Sequence, residues 1–239
     1  MIGRLLCICS LLTVTPHLQA GVSLELRHLW EGKPLATPSR ALLTGSRETI
    51  EFSRVAYLLS DLRLLGRGDN ASSGTWLHRN NWFAHVDASG PGGVSRLDLG
   101  DLPRRTYTVL QFHIGLDQET DETDPSQYPA DHPLNPNLNN LHWTPQGGYI
   151  FLAMEGHLRN DGKTGGFAYH LGNPWNRTVI SLPLSLKFTG PVTIAIDVHL
   201  DRLFNGEEPL QIAANPSTHS RKDDRIAQLL KNRLPSAFS

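Results

Sequence analysis

Apolar and polar residues alternate with a period of two along most of this chain. Val22, Leu24 and Leu26 alternate with Ser23, Glu25 and Arg27; Ile180, Leu182, Leu184, Leu186 and Phe188 repeat the pattern, as do Val192, Ile194, Ile196 and Val198. Successive side chains of an extended strand point to opposite faces, so each run predicts a strand with one buried face. Further strands are predicted at 48–65, 82–88, 94–99, 105–115, 149–157 and 166–171, with turns such as Gly90-Pro-Gly-Gly93 and Thr189-Gly-Pro191 in the gaps. Many short strands with such turns predict an all-β fold, an antiparallel β-sandwich. Only the end has helical spacing. There Ile226, Leu229, Leu230 and Leu234 form a stripe, and Ser220 with Asp223 three residues on has the form of a capping box. One C-terminal helix packed on the sandwich is expected. The Pro-rich interval 116–148 is too long for a hairpin loop, and ordered loops of that length usually serve a function.

The first twenty residues stand apart. Arg4, an apolar run from Leu5 to Val14 and a small residue at Ala20 predict a secretory signal peptide over 1–20 and a single domain over 21–239. The expected location is therefore periplasmic, secreted or on the cell surface. The apolar run is too short to span a bilayer, so no membrane insertion is expected. Both cysteines, Cys7 and Cys9, lie in this segment, which leaves the exported chain no thiol for a metal, a nucleophile or a disulfide. A net charge of −1 with mixed signs gives no case for nucleic acid as a partner.

The chain has 11 histidines, and imidazole is the commonest protein metal ligand. The long interval has two halves. The first, Asp117-Gln-Glu-Thr-Asp-Glu-Thr-Asp124, lacks the Gly and terminal Glu of an EF-hand; a solvated acidic turn is expected, with calcium binding as the alternative. The second carries His132, His142 and Trp143, stiffened by Pro133, Pro136 and Pro145. Stiffness matters because a metal site must hold its ligands before the ion arrives. Trp76 and His78, two apart, share a face if extended, whereas Trp82 and His85, three apart, face opposite ways. His170 stands opposite Phe167 and Tyr169, so it points outward or into a cleft if those rings are core; His199 shares a face with Asp197 and Asp201. For each histidine the competing role is a structural or surface one. Without thiols a closed thiolate zinc site is excluded, while Cu(II), Zn(II) or Ni(II) on nitrogen and oxygen stays open. There is no zinc-hydrolase helix motif, Gly-x-Ser-x-Gly elbow or phosphate loop, so no enzymatic activity is expected.

Several motifs, in order, resemble the MbnP family of secreted or periplasmic copper-binding proteins associated with methanobactin systems. They are Tyr57-Leu-Leu-Ser-Asp-Leu-Arg-Leu64, Thr106-Tyr-Thr-Val-Leu-Gln-Phe-His-Ile-Gly-Leu-Asp117, Leu134-Asn-Pro136, the run from His142 to Gly156, Tyr169-His-Leu-Gly172, Leu203-Phe-Asn-Gly206 and Thr218-His-Ser220. The resemblance spans the whole chain after residue 20. It implies a β-sandwich that binds copper through histidines, in some members with a tryptophan oxidised to kynurenine by a companion di-haem MbnH-like peroxidase. Members often carry a second Trp where Pro145 stands here. The expected function is thus exported copper binding, for scavenging, storage or transfer. The expected ligands are His78, His132, His142 and His170, with Trp76 of the Trp-x-His element as the indole open to oxidation. An alternative is an extracytoplasmic glycan- or peptide-binding module with Trp76, Trp82 and Trp175 as its aromatic platform.

Overall fold

A computed structural model describes residues 21–67, 73–143, 147–160, 162–218 and 220–239; the predicted signal peptide, Pro145 and His219 lie outside them. The alternating runs form β1 (Val22–Trp30), β2 (Lys33–Pro34), β3 (Leu42–Leu43), β4 (Thr49–Arg67), β5 (Thr75–Asp87), β6 (Val94–Gly100), β7 (Thr106–Ile114), β8 (Ile150–Asn160), β9 (Lys163–Gly172), β10 (Thr178–Lys187) and β11 (Val192–His199). Helices α1 (Gln118–Asp121) and α2 (Pro136–Asn139) lie in the long loop, followed later by α3 (Asp201–Phe204) and α4 (Arg225–Ala237).

Two sheets enclose the main core. In the smaller, β1 pairs with β11, β2 and β6; the larger runs β10-β7-β4-β8-β9, with β3 and β5 also on β4. Pairing in the larger sheet is antiparallel, but β1 and β11 run parallel, Val22 opposite Val192. Periodicity specifies the face a strand buries and leaves its partner open, so the parallel pair has no signature in the alternation. Leu24 and Leu26 from β1, Ile194 and Ile196 from β11, and Phe52, Tyr57, Phe112 and Tyr169 from the larger sheet fill the space between. Phe52 meets Phe204 edge to face at 5.5 Å, and Trp30 and Phe167 join the same group of rings. Each such side chain contributes roughly 1.5–3 kcal/mol by leaving water.

The terminal helix α4 buries Ala227, Leu230, Leu234 and Ala237. Its N-cap is Asp224, whose carboxylate accepts the N–H groups of Ile226 and Ala227, both at 3.0 Å. The expected capping box on Ser220 therefore does not form: Ser220 lies too far ahead of the first turn, and its hydroxyl serves β9 instead.

One burial pattern departs from alternation. Every residue from Val55 to Ser60 in β4, and from Ile150 to Met154 in β8, is buried. A strand buried at consecutive positions has both faces covered. The larger sheet's outer face must therefore be covered as well.

Candidate functional site

The cover is the long loop. The ladder registers place β7 and β8 end to end on one edge of β4: Ile114 is opposite Leu59 and Leu152 is opposite Tyr57, with β5 along the other edge. Between them the Gly115 N–H reaches the Leu58 carbonyl at 2.9 Å, and then the chain leaves the sheet. Gly115 has φ +97°, and a Cβ there would lie 2.2 Å from the Phe151 ring, so only glycine fits this exit. Residues 116–143 and 147–149 fold back over the outer face. Leu116, Leu134, Leu141 and Tyr149 pack on Ala56, Leu58, Phe151 and Ala153, forming a second apolar core.

Polar groups inside the loop hold its shape. Asp117 and Asp124 accept the N–H groups of Thr120 and Ser126, and buried Asp121 accepts that of Tyr149 at 2.8 Å. Burial pushes the Asp121 carboxyl up in pKa. Instead of a merely solvated turn, the acidic run supplies the loop's capping groups. Buried Asn139 donates to the Pro133 carbonyl and accepts from Leu141 N–H at 2.7 Å, and the Tyr149 hydroxyl donates to the Leu134 carbonyl.

The predicted ligands fall in different places. His132 belongs to the second core: its ring stacks on Tyr128 at 4.5 Å, its Nδ1 accepts the Leu134 N–H at 3.1 Å, and burial lowers its pKa. His142 packs edge to face on Tyr149 and lines a cleft of about 660 Å³ with Asp121, Glu122, Asp124, Trp175 and Lys222. Burial lowers its pKa too, while Asp124 opposes the shift. The next residue, Trp143, lays its indole on Gly172, where a Cβ would stand 2.4 Å from two ring carbons. His170 is on the same face of β9, two residues before Gly172, since Phe167 and Tyr169 point into the main core. Its Nε2 is 2.8 Å from Glu155 Oε1.

Trp76 and His78 are not brought to these groups. They lie together on the exposed side of β5, opposite Leu65 and Arg63, whereas His170 lies beyond Ala153, itself opposite Ala56. About seven residues of strand at ~3.3 Å each, with three strand spacings of ~4.8 Å between β5 and β9, put His78 more than roughly 20 Å from His170. Nor do Trp76, Trp82 and Trp175 form an aromatic platform: Trp82 packs against the main core, and the Trp175 indole donates to the Ser220 carbonyl at 2.9 Å. Two further histidines, His28 and His113, have local partners. Buried His28 bonds the Gly93 carbonyl and the Tyr57 hydroxyl. His113 Nδ1 is 3.3 Å from Asp61, which Arg63 and Arg177 also contact, without the alignment of a hydrogen bond. Burial, reinforced by Arg177, lowers its pKa to about 4 against the pull of Asp61.

Among the described residues no three His, Cys, Asp or Glu side chains converge as a ready cation cage. What the loop brings to the outer face is His142 in its cleft and Trp143 on its glycine bed, the latter next along β9 to the His170–Glu155 pair. In the sequence Glu155 reads as structural and neither Arg54 nor Gly172 stands out as a site residue; their contacts are to partners distant in the chain.

The MbnP family model matches residues 19–220. Among solved structures, the chain is similar to MbnP from Methylosinus trichosporium, with a TM-score of 0.58 and 16% identity over 89% of this chain and 86% of that one. At that identity the likeness shows the fold, a β-sandwich. A comparison with curated proteins finds no match.

Proposed function

Because the chain belongs to the MbnP family, we propose that it is an exported, non-enzymatic copper-binding protein, with copper as its cargo for scavenging, storage or transfer. The observation that carries this reading is the placement of Trp143, which follows His142 in the chain, on Gly172, two residues from the half-buried His170 on the same face of β9. The described residues contain no cysteine, and Met154 is buried in the main core, so the donor set is imidazole and carboxylate. Such donors suit Cu(II) among the first-row ions. In this reading His142 and His170 hold the ion, and the rigid loop fixes His142 before metal arrives. Trp143, beside these imidazoles, is the indole open to oxidation by a companion di-haem peroxidase, in place of the remote Trp76. The predicted signal segment supports a periplasmic, secreted or cell-surface location.

The test is metal analysis of the tag-free full chain after exposure to limiting Cu, Zn and Ni together. About one copper per chain is expected, lost in His170→Ala and His142→Ala and kept in His78→Ala. No retained copper, or loss in His78→Ala alone, contradicts the reading. Peptide mass mapping of protein from its native compartment then reports whether Trp143 carries added oxygen.

A further inference from the structure

Beneath the loop a line of polar side chains crosses the sheet, and His170 stands at its end. Glu155 on β8 is opposite Arg54 on β4 and Ala168 on β9, which makes His170 its diagonal neighbour. Glu155 Oε1 lies 2.8 Å from His170 Nε2 and 3.4 Å from an Arg54 guanidinium nitrogen. The other end of that guanidinium donates to the carbonyls of Asn139 at 2.6 Å and Asn140 at 3.3 Å, the last turn of α2 in the loop. The three side chains are between 21% and 31% exposed, shielded enough for their geometry to be fixed by one another.

The His170 backbone is equally constrained. Its N–H donates to the Thr218 hydroxyl, and its carbonyl accepts from the hydroxyls of Thr218 and Ser220. An ionised carboxylate is acceptor-only, so the proton in the His170–Glu155 bond sits on Nε2. A neutral imidazole with its proton on Nε2 keeps its lone pair on Nδ1. That nitrogen has no hydrogen-bond partner among the described residues.

We propose that Glu155 is the positioning residue of the copper site: it holds His170 as the Nε2–H tautomer, so that Nδ1 is the nitrogen offered to the metal. Arg54 orients the carboxylate and ties it to the loop that carries His142 and Trp143. This role rests on the copper reading above, but the tautomer is a property of the metal-free protein. Carboxylates behind a ligating imidazole commonly change metal affinity by about 10–100-fold when removed.

The experiment combines long-range ¹H–¹⁵N correlation spectra of the ¹⁵N-labelled, metal-free full chain with copper titration of wild type, Glu155→Gln and Glu155→Ala. Circular dichroism confirms that each variant is folded. His170 is expected to show the Nε2–H pattern in wild type and to lose that preference in both variants, with copper affinity falling by about 10–100-fold. An Nδ1–H pattern in wild type, or copper affinity unchanged in both variants, overturns the role of Glu155 alone. A wild-type protein with the expected tautomer that binds no copper overturns the copper reading, and this role with it.

Discussion

The two faces of the larger sheet are both covered, one by a second sheet and the other by a loop, and the difference decides which polar groups each face can hold. On the inner face, Phe52, Tyr57, Phe112 and Tyr169 meet the strands of the smaller sheet in an apolar core. On the outer face, apolar contacts from Leu116, Leu134 and Leu141 sit beside Arg54, Glu155 and His170. A facing sheet brings its own alternating apolar residues, whereas a loop can hydrogen-bond a buried polar group through its own carbonyls, as Asn139 does for Arg54. The loop-covered face is where His132, His142 and His170 remain partly exposed.

Substitutions on the two faces sharpen this contrast. Phe112→Ala removes a ring with no exposure, packed edge to face on Phe238, and is expected to lower global stability by about 3–5 kcal/mol in urea unfolding. Leu141→Ala is expected to cost less, roughly 2–3 kcal/mol, because the loop can settle into the space. Its larger signature is faster amide exchange confined to 116–149. Equal losses, with exchange raised everywhere, would show that the two cores form one cooperative unit.

Gly172→Ala attacks only the outer face. Its Cβ would meet the Trp143 ring at 2.4 Å and the Tyr149 carbonyl at 2.6 Å, so the indole must lift. The expected loss is about 2 kcal/mol, with a changed near-ultraviolet circular dichroism spectrum and weakened copper binding. An unchanged spectrum would mean that Trp143 is not seated there.

The smallest effect is in pH. His113 is held near pKa 4 in the folded protein against 6.5 as its ordinary value, so the unfolded chain takes up the proton first. Its contribution to stability is complete above pH 6.5 and is lost as pH falls toward 4, roughly 1 kcal/mol between pH 7 and 5.5. Unfolding curves at the two pH values should show that loss, and His113→Asn should reduce the difference. An identical pH dependence in the variant contradicts the assignment.

Much of the fold is legible in the sequence, because a strand with one buried face writes a period of two. The runs at 180–188 and 192–198 fall on β10 and β11, and the stripe at Ile226, Leu230 and Leu234 falls on α4. The outer core was less legible, although a signal exists: the unbroken apolar runs Val55-Ala-Tyr-Leu-Leu59 and Ile150-Phe-Leu-Ala-Met154 announce strands covered on both sides. The site was legible only in part. The opposition of His170 to Tyr169 follows from spacing alone, and so does the shared face of Trp76 and His78. That His78 lies more than roughly 20 Å from His170 follows from ladder register, which no local pattern encodes. The pairing of Glu155 with His170, and the bed that Gly172 makes for Trp143, are likewise products of registry and loop closure.

The central claim is that copper binds on the loop-covered face. Anomalous diffraction at the copper edge, from crystals of the tag-free chain loaded with one equivalent of copper, tests it most directly. The account predicts a single peak bonded to His170 Nδ1 and beside Trp143 under the loop. A peak at His78 on the open end of β5, or none on the outer face, would contradict it.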